Sequence, residues 1–150
     1  MFITEKMNET NVEGFAGLEK ENFSDGWSLE SLKEEINNPD ALYLVVRDSE
    51  TGETAAAAGM IISIDSADIM NVSVKEEYRR KGLASGLLDT LFEEGRKRGV
   101  KNFTLEVREN NHAARKLYEK KGFVFEGIRP GFYSNPKEGA AIYWLREKED

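Results

Sequence analysis

Two stretches of this chain carry residue types that could do chemistry together. The first is Val-Ser-Val-Lys-Glu-Glu-Tyr-Arg-Arg-Lys-Gly-Leu-Ala (72–84), in which a strand-like run passes through a basic, glycine-bearing loop into an amphipathic helix. A helix start presents free backbone N–H groups and a partial positive charge. Gly82 lets the backbone approach a ligand closely, and Arg79, Arg80 and Lys81 add formal charge, so the segment suits a pyrophosphate. It is not a Walker loop, because the Gly-Lys-Ser/Thr order is absent, and it lacks the three glycines of the dinucleotide fingerprint. Taken alone, the same residues also suit a surface loop in which the glycine only turns the chain.

The second stretch is Leu-Glu-Val-Arg-Glu-Asn-Asn-His-Ala-Ala-Arg-Lys-Leu-Tyr (105–118). Glu106 lies in a strand pattern with parity opposite to Phe103, Leu105 and Val107, and Tyr118 falls on the helix that follows. A carboxylate and a phenol facing one cleft can take one proton and supply another, as general base and general acid. Alone, Glu106 also reads as a solvated strand glutamate, and Tyr118 as a core tyrosine with its hydroxyl at the rim.

The elements that must position these residues follow from periodicity and caps. Residues 2–6 alternate weakly, as an edge strand does. Thr10 or Asn11 caps a helix to about Phe23, with Val12, Phe15, Ala16 and Leu18 on its apolar face. Ser24-Asp25-Gly26 turns the chain, and Ser28 caps a second helix with Leu29, Leu32 and Ile36 at helical spacing. Strands at 41–46, 55–64 and 67–74 form an antiparallel meander, with a turn at Thr51-Gly52. A strong amphipathic helix spans Leu83 to about Arg98 and ends at Gly99. A strand at 102–108, a helix capped by Asn111, a strand at 123–128, a loop from Arg129 to Gly139 and a last strand at 140–145 complete the chain. The alternation in the second half implies α/β layering around a central sheet. With no repeat, low-complexity segment or linker, residues 1–150 read as a single domain.

Composition excludes several function classes. There are no cysteines, so a thiolate nucleophile, a disulfide framework and Cys-based metal sites are out. One histidine, His112, leaves no multi-histidine metal site and argues against a Ser-His-Asp triad; it reads as a surface residue. The net charge is −7. Residues 1–50 hold 4 basic and 12 acidic side chains, whereas the rest hold 17 and 16. That balance disfavours a nucleic-acid binder. An acidic face beside a basic cluster suits a basic substrate and an anionic cofactor together, or simply solubility. No apolar run approaches the ~20 residues of a membrane span, and the N-terminus does not read as a signal peptide, so a cytoplasmic protein is expected.

The two stretches in combination resemble the GCN5-related N-acetyltransferase (GNAT) family and, within it, the ribosomal-protein-alanine N-acetyltransferases of the RimI type. The family's Gln/Arg-x-x-Gly-x-Gly/Ala motif is matched by Arg79, Gly82 and Ala84. The subfamily's longer run is matched by Leu105, Glu106, Val107, Arg108, Asn111, Ala114, Tyr118, Gly122 and Phe123. The resemblance implies an α/β (α+β) fold: a mixed, mostly antiparallel sheet of six or seven strands, splayed in the middle, with about four helices.

It also implies acetyl-CoA as cosubstrate, lying in the splay. The pyrophosphate would meet the Arg79, Arg80, Lys81, Gly82, Leu83 and Ala84 segment. The thioester carbonyl would meet backbone N–H groups near Val72 and Val74, and Asn111 and Tyr118 would touch the cofactor. By the same resemblance Glu106 is the general base, Tyr118 the general acid, and Trp27, Arg129, Phe132 and Tyr133 shape the acceptor site. The acceptor implied is the α-amine of a protein N-terminus, foremost that of a ribosomal protein beginning with alanine. A small amine such as a polyamine, and a non-catalytic acyl-CoA-binding module, are the alternatives. Neither a metal, a nucleic acid nor a membrane partner is implied, and a monomer or weak dimer is expected. Two positions depart from the pattern on the acceptor side: Phe132 stands where a second aromatic hydroxyl is common, and Gly139-Ala140-Ala141 where an acidic residue is usual.

Overall fold

The structure, a computed structural model, describes residues 1–147; the last three residues of the expected 1–150 unit lie outside the described residues. In chain order the elements are β1 (Phe2–Lys6), α1 (Val12–Asn22), α2 (Leu29–Glu35), β2 (Ala41–Asp48), β3 (Thr54–Ser63), β4 (Ser66–Val74), a 3-10 turn (Glu76–Tyr78), α3 (Leu83–Lys97), β5 (Asn102–Arg108), α4 (His112–Lys120), β6 (Val124–Tyr133) and β7 (Glu138–Leu145). The strands form a seven-stranded sheet in the order β1-β2-β3-β4-β5-β7-β6. Among the described residues only the β4–β5 pairing is parallel. This is the mixed, mostly antiparallel architecture with four helices that the resemblance implies.

Local chemistry explains most element ends. Ser28 caps α2 by accepting from Ser31 N at 3.1 Å, and Asn111 caps α4 by accepting from Ala114 N at 3.2 Å. Asn11 stands at the α1 cap position but does not cap it. Its side chain turns back, accepting from Asn8 N at 2.7 Å and donating to Lys6 O at 3.0 Å.

The pleat sends alternate residues to two cores. On one face Leu42, Leu44, Ala58 and Met60 pack with Phe103, Leu105 and Val107 against α3 and α4. On the other, Tyr43, Val45 and Ala57 pack against Val12, Phe15, Leu18 and Leu32 of α1 and α2.

The expected loop 129–139 is mostly strand. Arg129 pairs with Ala140 and Tyr133 with Glu138, so only residues 134–137 turn. The proline and glycines that read as loop are accommodated because β6 is an edge strand, where Pro130 has no ladder bond to lose. Register shifts at Phe125/Gly127 and Arg129/Tyr133 absorb the glycines as bulges.

One irregularity organises the middle of the sheet. β4 and β5 pair only through Ser66↔Asn102, Ala67↔Phe103 and Asp68↔Thr104, then part. On the other edge of β4 the register with β3 slips between Ala57 and Gly59, which face Ser73 and Met70. Asn71, in the left-handed region at φ 63°, and Val72 together face the single residue Ala58. This bulge bends β4 away from β5 and opens a gap between them.

Opposite the bulge, Gly59 leaves room for the buried Tyr43 ring: a Cβ there would sit 2.3 Å from Tyr43 Cδ1. Gly59→Ala should therefore cost about 1–3 kcal/mol through overpacking. The check is a lower urea midpoint with an unchanged denaturant slope.

Candidate active site

The basic loop is tied down from two sides. Tyr78, buried in the 3-10 turn, donates its hydroxyl toward Asp48 Oδ2 and Glu53 Oε2, each at 2.9 Å, anchoring the loop to the β2–β3 turn. Arg80 at φ 66° and Gly82 at φ 76° are both left-handed, which turns the chain sharply into α3. Helix geometry leaves the N–H groups of Leu83, Ala84 and Ser85 without an intrahelical acceptor. Arg79 differs from its neighbours. Its guanidinium folds back, donating from Nε to Val74 O at 3.3 Å and from Nη2 to Asn22 Oδ1 at 2.9 Å. Arg79 thus fixes the end of β4, while Arg80 and Lys81 are exposed and in no ion pair among the described residues.

The gap has polar walls. Lys75 N bonds Ala55 O on the β3 side, so by strand alternation the N–H of Val74 points into the gap, while its carbonyl is held by Asn22 and Arg79. On the far wall, Thr104 pairs toward β4, and the same alternation turns the backbone of Glu106 inward. Glu106 and Tyr118 lie on opposite faces of the sheet. Glu106 shares a face with Thr104 and Asp68, on the α1–α2 side. Tyr118 descends from α4 into the other core, against Phe123 and Tyr143 at ring distances of 5.9 and 6.4 Å.

Glu106 Oε1 pairs with Arg129 at 3.6 Å, while Oε2 is buried with no hydrogen-bond partner among the described residues. Burial pushes the Tyr118 phenol up, and Tyr133 adds to the shift. Burial also pushes the Tyr133 phenol up to about 12, with the Glu106 carboxylate contributing. Tyr133 therefore stands within electrostatic reach of both groups. Phe132 and Tyr133 meet edge to face at 5.0 Å, and the Arg129 guanidinium lies 5.1 Å from the Phe132 ring.

Sequence reasoning assigned no site role to Arg108, two residues beyond Glu106 on the same face. Its guanidinium donates to Ser134 O and Pro136 O, each at 2.9 Å, and to Ser24 Oγ at 3.3 Å. It also pairs with Glu138 at 3.2 Å and lies 4.6 Å from the Tyr133 ring. One side chain thus clasps the β6–β7 turn to the α1–α2 loop. Shared parity with Glu106 was the available signal.

Glu138 was missed as well. It immediately precedes Gly139-Ala140-Ala141, and its carboxylate accepts from Asn110 N at 2.7 Å.

Trp27 is not brought to this cluster by any hydrogen bond or ring contact among the described residues. Its indole packs on the smaller core, 6.2 Å from the Tyr43 ring. Asn111 is exposed at the start of α4, and His112 is exposed beside it. Among the described residues no group of His, Asp and Glu is placed to hold a metal, and no helix is long and apolar enough to cross a membrane.

A split sheet with a glycine-turned helix start at the mouth of the split is a layout for group transfer from a long anionic donor. The chain belongs to the acetyltransferase (GNAT) family, whose model matches residues 12–123. A relative from Bacillus subtilis (strain 168) is 35% identical over 133 residues, 88% of this chain and 87% of its own. The ribosomal protein bS18-alanine N-acetyltransferase of Escherichia coli (strain K12) is 36% identical over 121 residues, 79% of this chain and 80% of its own. The crystal structure of the ribosomal-protein-S18-alanine N-acetyltransferase from Escherichia coli matches with a TM-score of 0.87 at 30% identity, covering 100% of this chain and 96% of that one. A spermidine/spermine N-acetyltransferase from Vibrio cholerae matches at TM-score 0.79 and 18% identity, over 97% and 92% of the chains, a likeness of fold alone.

The clasp has a pH signature. The Asn110 N–H and the Arg108 guanidinium hold the Glu138 carboxyl below its ordinary value of 4.5. A depressed carboxyl stabilises the fold fully above its unfolded value, and the contribution is lost as pH falls through the folded value. The melting-temperature advantage over Glu138→Gln should therefore be complete above pH about 5.5 and shrink progressively below about 4.5.

Proposed function

We propose that this chain is an acetyl-CoA-dependent N-acetyltransferase that acylates the α-amine of a protein N-terminus, with a ribosomal protein beginning with alanine as its acceptor. The observation that carries the reading is the gap between β4 and β5, with the Glu106 carboxylate on one face of the sheet and the Tyr118 phenol in the core on the other. The activity for which the relatives from Escherichia coli are named supports the acceptor class. The reading carries with it a single acetyltransferase domain, a cytoplasmic setting and a monomer or weak dimer.

The residues fit acetyl-CoA. The left-handed turn at Gly82, the N–H groups that open α3, and the charges of Arg80 and Lys81 suit its diphosphate. Two extended walls with inward backbone groups suit its linear, amide-bearing arm. Asn111, exposed at the start of α4, would touch the same arm. When bound, acetyl-CoA supplies a thioester as acyl donor.

In this reading the N–H groups of Val72 and Val74 polarise the carbonyl under attack, the role of an oxyanion hole. Glu106 takes the proton of the acceptor amine on Oε2, its oxygen without a partner, while Arg129 holds Oε1. An α-amine has an unperturbed pKa near ~8, against ~10.4 for a lysine side chain, so a carboxylate base suits the former better. Tyr118 keeps its proton at neutral pH because burial raises its phenol, and gives it to the departing thiolate. Trp27, Arg129, Phe132 and Tyr133 shape the acceptor site, and the Arg108 clasp sets the distance between its two loops.

The test is release of CoA thiol with mass detection of product. One peptide begins Ala-Arg; a second is blocked at its α-amine but carries lysine. One acetyl group gained only on the free α-amine supports the reading. Modification of lysine, or of a polyamine in place of either peptide, overturns the acceptor assignment. Binding of acetyl-CoA with no acceptor modified favours a non-catalytic module. Glu106→Gln and Tyr118→Phe should each lower kcat about 10²- to 10³-fold with acetyl-CoA affinity retained. Wild-type turnover in either variant removes that residue from its role.

A further inference from the structure

Glu19 is a buried carboxyl that the chemistry above does not use. It lies on the inner face of α1, 1% exposed, in a helix whose other buried positions are Val12, Phe15 and Leu18. Oε2 accepts the backbone N–H of Trp27 at 3.1 Å, across the turn between α1 and α2. Gly26 is pressed against the same helix: a Cβ there would lie 2.6 Å from Glu19 O. The other oxygen, Oε1, is buried without a partner, and so is Oδ1 of Asn71. The Asn71 side chain lies against this carboxyl. Burial drives Glu19 toward its neutral form, in which it can donate as well as accept.

Asn71 is the left-handed residue of the bulge that parts β4 from β5. One turn along α1, Asn22 grips β4 on the far side of the bulge, donating to Ser73 Oγ and, at 3.3 Å, to Val74 O. Positions three apart share one helix face, so α1 holds the bulge with two polar side chains. Beyond them the chain runs directly into residues 23–28, the acceptor-side loop that meets Arg108 and Ser134 through Ser24.

We propose that Glu19 is a positioning residue whose carboxyl bridges the Asn71 amide and the Trp27 N–H, locking the acceptor-side loop to the bulge that opens the cofactor gap. The bridge sets where the acceptor's first residue stands relative to the gap without itself touching either substrate. This rests on the reading that residues 23–28 border the acceptor site.

The test uses Asn71→Gly, which keeps the left-handed backbone and removes only the amide. It should raise peptide KM about tenfold or more, the scale expected for an unmade buried hydrogen bond, and hold acetyl-CoA Kd within about twofold. Hydrogen exchange at the Trp27 amide should quicken by a similar factor. Glu19→Gln keeps the shape and both hydrogen bonds and should behave as wild type in all three measurements. Glu19→Ala should match Asn71→Gly, and combining the two should be no worse than the worse single change. Wild-type peptide KM and Trp27 exchange in Asn71→Gly would overturn the proposal. So would parallel losses for both substrates, which would mark a general loss of stability. If the wild type acetylated no peptide, the acceptor reading would fail, while Trp27 exchange would still decide the bridge.

Discussion

The parting of β4 from β5 after Asp68 and Thr104 is the constraint on which the rest of this molecule depends. A continuous sheet would carry the pairing on past Asp68↔Thr104 and would separate its two faces completely. Parting leaves inward backbone groups such as the Val74 N–H without a β5 partner, and each needs water or a ligand because an unpaired buried peptide group costs about 1–3 kcal/mol. It also opens a route through the sheet between the α1–α2 face, which carries Glu106, and the α3–α4 core, which carries Tyr118. In the proposed reading, the binding slot and the meeting of acid and base have this one structural cause.

That cause is held in place by side chains outside the chemistry. The Asn71 bulge shifts the register of β4 against β3. Asn22 and Arg79 converge on Val74 O at the end of the same strand, joining the end of α1 to the basic loop. Tyr78 ties that loop to the β2–β3 turn. On the acceptor side, Arg108 draws the β6–β7 turn and the α1–α2 loop together around Tyr133. Each wall of the site is thus braced by a polar contact between elements far apart in sequence.

Those braces mark the limit of what the sequence made legible. Strand parity set Glu106 against Phe103, Leu105 and Val107, and the structure keeps that division between faces. Ser28 and Asn111 capped their helices as their types suggest. Local signals carried these because the partners lie within a few residues. Arg79 looked like a free charge for an anion, yet its guanidinium is engaged by Val74 O and Asn22, more than fifty residues away in the second case. Glu19, one of the 12 acidic side chains of residues 1–50, drew no separate reading from the sequence, and tertiary packing buries it. The glycines and proline between Arg129 and Gly139 signalled a loop. Edge-strand bulges absorbed them, which no local rule anticipates.

The central claim is that the β4–β5 gap is where the acyl donor is held. Amide hydrogen exchange with and without acetyl-CoA tests it most directly. Protection should appear at Val72 and Val74 and at the N–H groups of residues 82–84, with β1 and the β2–β3 turn unchanged. Binding that protected other segments and left Val72 and Val74 exchanging at their free rates would contradict the account.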